Sequence, residues 1–379
     1  MEKALKILSI SSDRKIFEAG SAVSERMKEY GALVGELHIV VLSKKSLGLK
    51  DKQVADNVWA YPTNSSTRWL YVRDASSLGK RIVLDRKFVR GESLITTQDP
   101  FECGLAGLKV KKKWRLPLEV QLHTDPFSPY FNGALNTIRK FISRKVLKHA
   151  DGVRVVTQSL KSKISVLTHA EVNVLPIYID KQKIQDTQAT FDLHARYSWR
   201  FIMLAVARLE PEKNLSLAIN TLALVKKRFP DTGLVIVGSG SEEKRLKLKA
   251  IGLKLEANVA FVGWQNDVAS FYKTANVFIQ TSVFEGYGIA LIEAGLYGLP
   301  VITTPVGIAS ELEHGKDAYI LSPKDVEMFA GAVIDLIENN YKRESLRVNM
   351  KNTLATKLIS KDDYMAQIKA GWERVSKKV

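Results

Sequence analysis

The stretch "FEGYGIALIEAGLYGLPVITT", Phe284 to Thr304, decides how this chain folds. An apolar run, "NVFIQTS" (276–282), stands just before it and reads as a strand. The quoted stretch then supplies a loop, an apolar helix over 289–297, a stop at Pro300 and a second strand over 301–304. Strand, loop, helix and strand in that order form one unit of a parallel, helix-covered sheet.

The same rhythm runs outward in both directions. On the N-terminal side of the quoted stretch, "FIMLAVAR" (201–208), "GLVIVG" (233–238) and "NVAFVG" (258–263) read as strands. Helix-period segments at 214–229 and 241–250 separate the first two from their successors. The first half repeats the pattern. "LKILSIS" (5–11), "ELHIVVLS" (36–43), "SLITTQD" (93–99), "PLEVQLH" (117–123) and "GVRVVTQ" (152–158) read as strands, with helices at 18–30, 101–113 and 132–149. With 379 residues the chain is too long for one ordinary core. Two doubly wound α/β domains are therefore expected, 1–178 and 179–359, with the linker near Pro176–Lys181. The C-terminal helix 360–379 either caps the second domain or crosses back to the first. Two such sheets facing each other would leave a cleft at their carboxyl edges, where loops and helix N-termini converge.

Several residues sit at those edges. In the quoted stretch, Glu285 and Glu293 have seven residues between them. Gly286 and Gly288 expose backbone N–H groups at a helix start, which is a partial positive pole suited to phosphate. A carboxylate one turn into that helix, Glu293, can accept two hydrogen bonds from a ribose diol. Read alone, both glutamates fit ordinary surface acids equally well. In "ARLEPEKN", Arg208 ends a strand and Lys213 precedes a helix, so the two cations could neutralise a diphosphate. In "VIVGSGSEEKRL", Gly238 and Gly240 follow a strand, but Glu243 replaces the third glycine of a dinucleotide fingerprint. That reads as a tight strand-to-helix turn. In the first half, His123 stands just past a strand, where imidazole could bond a sugar hydroxyl, shuttle a proton, or simply be structural. Asp125 could orient it or start a turn with Pro126. Gly20 and Ser21 lie in the loop after the first strand.

Composition bounds the rest. Apolar residues make up 45% and charged residues 26%, ordinary values for a globular protein. One cysteine, Cys103, excludes an internal disulfide and a cysteine-based metal site, and fits a reducing compartment. "MEKALKILSISSD" has no signal-peptide core, and no apolar run reaches bilayer length, so a cytoplasmic protein is expected. The net charge of +17 favours polyanionic partners: nucleic acid, anionic headgroups or phosphorylated substrates. The basic helix in "TIRKFISRKVLKHA" (137–150) is open to two readings, a cover for the sheet or a surface resting on anionic membrane. No specific nucleic-acid motif is present.

Taken together, "VARLEPEKNLSLAI", "VGSGSEEKRLK", "VAFVGWQNDV", "FEGYGIALIEAGLYGLPVITT", "TPVGIASEL" and "ADGVRVVTQSLKSKI" resemble the retaining glycosyltransferases of family 4. The resemblance is strong over 200–335 and fainter over 1–180. It implies the GT-B fold, two facing Rossmann-like domains with an interdomain cleft. It implies a nucleotide-diphosphate sugar donor, UDP rather than GDP by family habit, held by the second domain. Arg208 and Lys213 would take the diphosphate, Glu293 the ribose, and Glu285 and His123 the donor sugar. Gly286, Tyr287, Gly288, Ile289, Gly238, Gly263 and Gly20 would complete the donor site. No metal and no cofactor are implied, and no Asp-x-Asp motif is present. The acceptor would be a glycan or lipid-linked intermediate of surface polysaccharide or glycolipid synthesis. Such an enzyme would be cytoplasmic or peripheral at the inner face of the membrane. The first loop departs from the family in having one glycine, at 20, where relatives carry a pair. The linker reads Pro176-Ile177-Tyr178-Ile179-Asp180 where many relatives have Pro-Asn-Gly, and Gly307-Ile308 stands where they carry a glycine pair. A GT-B epimerase or phosphorylase, or a non-catalytic polyanion-binding protein, are the alternatives.

Overall fold

The computed structural model describes residues 5–378. Residues 1–4 and 379, at the ends of the expected ranges, lie outside them. The chain divides into two compact units: Met1–Ile177 with Ser360–Val379, and Tyr178–Ile359.

The first unit is built on β1 (Lys6–Ser11), β2 (Glu36–Val41), β3 (Lys52–Ala55), β4 (Val58–Pro62), β5 (Ser93–Thr97), β6 (Leu118–Leu122), β7 (Gly152–Val155) and β8 (Glu171–Val174). Their spatial order is β3-β4-β2-β1-β5-β6-β7-β8. Every pairing is parallel except β3 with β4. β5 is buried at every position, as a parallel strand covered on both faces must be.

Several elements here were not expected. The β3–β4 hairpin turns at Asp56-Asn57, and Asn57 Nδ2 donates to the carbonyls of Gly31 (2.9 Å) and Val34 (3.0 Å). Four residues of strand were too short to carry a pattern. The helix Tyr71–Asp85 contains "ASSLG", which by propensity reads as a loop. Close packing overrides propensity: a Cβ at Gly79 would come within 3.1 Å of Val110 and 3.2 Å of Leu8. β8 lies just before the expected linker, in a stretch to which the sequence assigned no strand.

The helix Lys361–Ser376 lies against β5 and β6. Ser360 caps it, its Oγ accepting from Asp363 N at 3.1 Å. Trp372 Nε1 donates to Glu119 Oε2 at 3.2 Å, and Thr96 Oγ1 donates to the same oxygen at 2.7 Å. The Arg154 guanidinium stands 3.9 Å from it. Gly152 makes room for this helix, since a Cβ there would meet Val375 at 2.4 Å. Trp372→Ala is expected to destabilise the protein by about 3–5 kcal/mol, through the cavity and the lost donor to a buried carboxylate. Urea unfolding checks this, and a loss under about 1 kcal/mol would mean the helix is not part of the cooperative unit.

The second unit holds β9 (Phe201–Val206), β10 (Thr232–Val237), β11 (Val259–Gly263), β12 (Val277–Gln280), β13 (Val301–Thr303) and β14 (Tyr319–Ile320). All pairings are parallel, in the order β11-β10-β9-β12-β13-β14. One face packs Met203, Leu234, Ile236 and Val277 against the helices Leu215–Val225 and Val326–Glu338. The chain leaves β9 toward β10 and β11, then returns to the opposite side of β9 as β12. Loops at the carboxyl ends of β9 and β12 therefore depart in opposite directions and leave a crevice, the place where open α/β sheets take ligands.

Candidate functional site

The two loops at that crevice are 207–214, after β9, and 281–288, after β12. Thr281 Oγ1 donates to Lys213 O at 3.0 Å, and Val283 N donates to Glu212 O at 2.9 Å. Thr304, just past β13, donates from Oγ1 to Ser282 O at 2.5 Å. Lys213 ends a short turn, Pro211–Lys213, and Asn214 adopts a left-handed conformation (φ 48°) that starts the following helix. The result is a fixed side-chain pair. Lys213 Nζ stands 2.7 Å from Glu285 Oε1, with side chains 12% and 16% exposed. Ser282 Oγ donates to the same oxygen at 2.9 Å. An ammonium has three donors, so Lys213 can hold Glu285 and still offer hydrogen bonds to an anion in the crevice.

Arg208 is at the other end of the first loop. Its side chain is exposed and pairs with Glu212 at 3.1 Å. Solvated i,i+4 pairs of this kind are weak, so a phosphate can take the guanidinium over. The structure thus gives the two cations different partners, and only Lys213 is held firmly.

Gly288, at φ 94°, opens the helix Ile289–Leu296, and no side chain caps it. The N–H groups of Leu291 and Ile292 turn back to Gly288 O, at 3.1 and 3.2 Å. Gly286 lies in the loop before it, and Ile289 is exposed at the helix start. Tyr287 differs from what a ligand contact would show. Its ring is 3% exposed and its hydroxyl has no partner among the described residues. Burial, reinforced by Glu311, pushes the phenol's pKa up. Its backbone carbonyl accepts from Ile308 N at 2.7 Å, and Gly307 (φ 57°) permits the contact, since a Cβ there would reach that oxygen at 2.5 Å. Tyr287 therefore offers the crevice its backbone rather than its ring.

Glu293 lies one turn into the helix, half-buried. Tyr272 Oη donates to its Oε2 at 3.1 Å, and Tyr272 is stacked on Tyr297 with centroids 5.3 Å apart. No other hydrogen bond reaches this carboxylate among the described residues. Burial raises its pKa, and the Tyr272 hydrogen bond partly offsets that.

The glycine turns are mainly architectural. Gly238 (φ 132°) passes so close under the first loop that a Cβ would lie 1.9 Å from Ala207 O. At Gly240 it would lie 2.4 Å from Leu209 O. Gly238 N donates to Gly263 O at 2.8 Å, and Gly263 (φ 72°) ends β11. Glu210 closes the turn, accepting from Ser241 Oγ at 2.7 Å. The reading of "GSG" as a tight strand-to-helix turn agrees with this geometry.

In the first unit, His123 follows β6 directly, with its ring open to solvent. The protein packed around it, then the cations Arg154 and Arg26, hold the imidazolium form down, well below the usual histidine range. Asp125 does not orient His123. Its carboxylate accepts from Phe127 N at 2.8 Å and pairs with Lys163 at 2.9 Å. Gly20 (φ 70°) precedes Ser21, whose Oγ caps the helix Ala22–Gly31. Among the described residues, no group of three or more His, Cys, Asp or Glu side chains is arranged to hold a metal.

Glu212, Ser282, Thr304 and Tyr272 were not singled out from the sequence. Ser282 had a signal, a hydroxyl at a strand's end three residues before Glu285. Tyr272 had none, because it reaches Glu293 from a different helix.

The architecture is that of the GT-B class, two parallel-sheet α/β domains in one chain. The solved structure of HepE from Anabaena in complex with UDP and glucose matches it with a TM-score of 0.75, at 20% identity, over 96% of this chain and 98% of that one. Residues 186–353, which contain Arg208, Lys213, Glu285 and Glu293, match the family described as Glycosyl transferases group 1. Over 175 residues the chain is 29% identical to an uncharacterized glycosyltransferase of Haemophilus influenzae, covering 46% of this chain and 48% of that protein. Over 323 residues it is 24% identical to the alpha-monoglucosyldiacylglycerol synthase of Acholeplasma laidlawii, covering 78% and 80%. The chain spans about half or less of the length of several curated relatives it matches.

Proposed function

We propose that this protein is a retaining glycosyltransferase of the family 4 type. It moves a sugar from a nucleotide-diphosphate sugar to a glycan or lipid-linked acceptor in surface polysaccharide or glycolipid synthesis. The observation that carries this reading is the Lys213–Glu285 pair, fixed at the sheet's crevice beside an uncapped helix N-terminus. A polar anchor, a cation and the positive pole of a helix N-terminus converge where a diphosphate and its sugar need them. A UDP-sugar is favoured over a GDP-sugar as donor, and the Anabaena neighbour, solved with UDP and glucose, supports that choice. The Acholeplasma relative, named for a glycolipid product, supports the acceptor class.

In this proposal Lys213 and Arg208 bind the diphosphate and stabilise the charge it gains as the bond from the anomeric carbon to its oxygen breaks. Glu293 accepts from the ribose hydroxyls. Glu285 holds the donor sugar and keeps Lys213 in place. His123 is a neutral imidazole able to bond a sugar hydroxyl. The acceptor oxygen attacks on the face the diphosphate leaves, and its proton passes to the departing diphosphate oxygen. The anomeric configuration is thereby retained. The protein's role needs neither a metal nor a cofactor.

The test is incubation with UDP-glucose, UDP-galactose, UDP-N-acetylglucosamine or GDP-mannose, together with diacylglycerol or a lipid-linked glycan, in EDTA. Nucleotide release and the anomeric proton coupling of the product are read. An α-linked product with release of UDP is expected. A product of inverted configuration would contradict retention. Donor isomerisation without an acceptor, or turnover only with free phosphate, would replace the proposal by an epimerase or a phosphorylase.

A further inference from the structure

The donor crevice leaves one conspicuous surface of the first unit unused. The helix Ala134–Lys148 buries Ser143, Val146 and Leu147 against the unit. Leu135, Ile138 and Phe141, a row that winds from beside the buried side toward the outer face, are 50%, 51% and 66% exposed. On the same face, further along, stand Arg144, Lys145 and Lys148, all exposed. Positions 135, 138, 141, 145 and 148 follow helical spacing, so they form one stripe about 20 Å long. Its first half is apolar and its second half cationic. Residues 132–150 include no aspartate or glutamate. Glu102, an acid on a packed element, is already held by Arg139 at 3.0 Å, and Asp151 is bonded to Lys111. Arg144 lies over the rings of Phe127 and Phe141, at 5.2 and 5.9 Å, which draws a cation to the apolar edge.

A helix that only covered the sheet would put polar groups outward. This one exposes three large apolar side chains in a row, which costs free energy in water and needs a non-aqueous partner to recover it. Nucleic acid would satisfy Arg144, Lys145 and Lys148 but offers nothing to Leu135, Ile138 and Phe141. The boundary of an anionic bilayer satisfies both halves, with acyl chains for the apolar turns and phosphate groups for the cations. Among the described residues no helix is long and apolar enough to cross a membrane, so the contact is with the surface.

We infer that the outer face of the helix Ala134–Lys148 is a docking surface for an anionic phospholipid bilayer. The helix lies in the interface, with Leu135, Ile138 and Phe141 inserted and the 144–148 cations on the headgroups. This places the protein peripherally on a membrane, where a lipid-linked acceptor would be found.

The experiment is sedimentation of the full chain with vesicles of phosphatidylcholine alone or mixed with phosphatidylglycerol, at low and high salt, without sugar donor. Binding to the mixed vesicles is expected at low salt and should weaken as salt rises. The variant Leu135→Ser/Ile138→Ser/Phe141→Ser should bind at least about tenfold more weakly. Lys145→Glu/Lys148→Glu should also bind more weakly and show a shallower salt dependence. These side chains are exposed, so the variants keep the thermal midpoint, and Phe141→Ser alone serves if the triple variant does not fold. No binding to mixed vesicles at low salt would overturn the inference. So would equal binding by the apolar variant, retention on duplex DNA in place of vesicles, or a dimer in solution that the apolar variant dissolves. No donor is present in this assay, so its failure leaves the transferase reading standing, and loss of transferase activity leaves docking standing.

Discussion

Lys213→Met lowers kcat by about 10²–10³-fold, the loss expected when one preorganised donor to a developing negative charge is removed. Methionine keeps the apolar stem but cannot neutralise a leaving diphosphate. Part of the damage is structural. Lys213 and Glu285 are both largely buried, and Ser282 is the remaining donor to Glu285 Oε1. Removing one partner of such a pair leaves a carboxylate with incomplete compensation, so Lys213→Met also lowers stability. The double variant Lys213→Met/Glu285→Gln separates the two effects. It regains stability, because no lone buried charge remains, but it does not regain turnover. Steady-state kinetics and urea unfolding on the single and double variants check this. Recovery of kcat in the double variant would mean that Lys213 acts only by neutralising Glu285. Arg208→Ala loses less stability than Lys213→Met, since the Arg208 side chain is itself exposed.

Glu293→Gln moves stability and binding in opposite directions. Burial raises the pKa of this carboxyl, so the folded protein holds its proton to a higher pH than the unfolded chain does. The group's contribution to stability is therefore full below the unfolded pKa and is lost as pH rises through the raised value. At neutral pH the charged form costs stability, and glutamine removes that cost while still accepting from Tyr272 Oη. The thermal midpoint at pH 7 rises, by about 2–4 °C for each kcal/mol released in a unit of this size. UDP affinity falls by about tenfold, because a neutral amide is a weaker acceptor for two ribose hydroxyls. The stability gain fades as the solution is acidified toward the range where the wild-type carboxyl is itself protonated. Thermal melts over a pH series, with and without UDP, read both effects. A lower midpoint at pH 7 would show that the carboxylate is stabilised by something other than Tyr272.

Much of this was legible in the residues, for a physical reason. β9, β10 and β12 are apolar runs bounded by glycine or polar residues, and their ends fall within a few residues of where the sequence places them. The helix Ile289–Leu296 announces itself by Gly288 before it and Pro300 after it. What the pattern missed depends on distant neighbours. The helix Tyr71–Asp85 tolerates "ASSLG" because Val110 and Leu8 press against Gly79. The β3–β4 hairpin is held by Asn57 reaching carbonyls more than twenty residues away. At the site, the sequence pointed to Glu285 and Lys213 separately, and the structure adds that they form one pair. Tyr287 shows the limit most plainly. Its position in "EGYG" suggests a ligand contact, but its ring is folded inward.

The second unit is expected to hold a nucleotide diphosphate at the crevice between the β9 and β12 loops. Isothermal titration of UDP into the wild-type protein and into Lys213→Met/Glu285→Gln, in EDTA, tests it most directly. Saturable one-to-one binding to the wild type, weakened at least about tenfold in the double variant, is the predicted result. UDP, GDP and ADP all failing to bind a folded wild-type protein, or binding unchanged in the double variant, would contradict it.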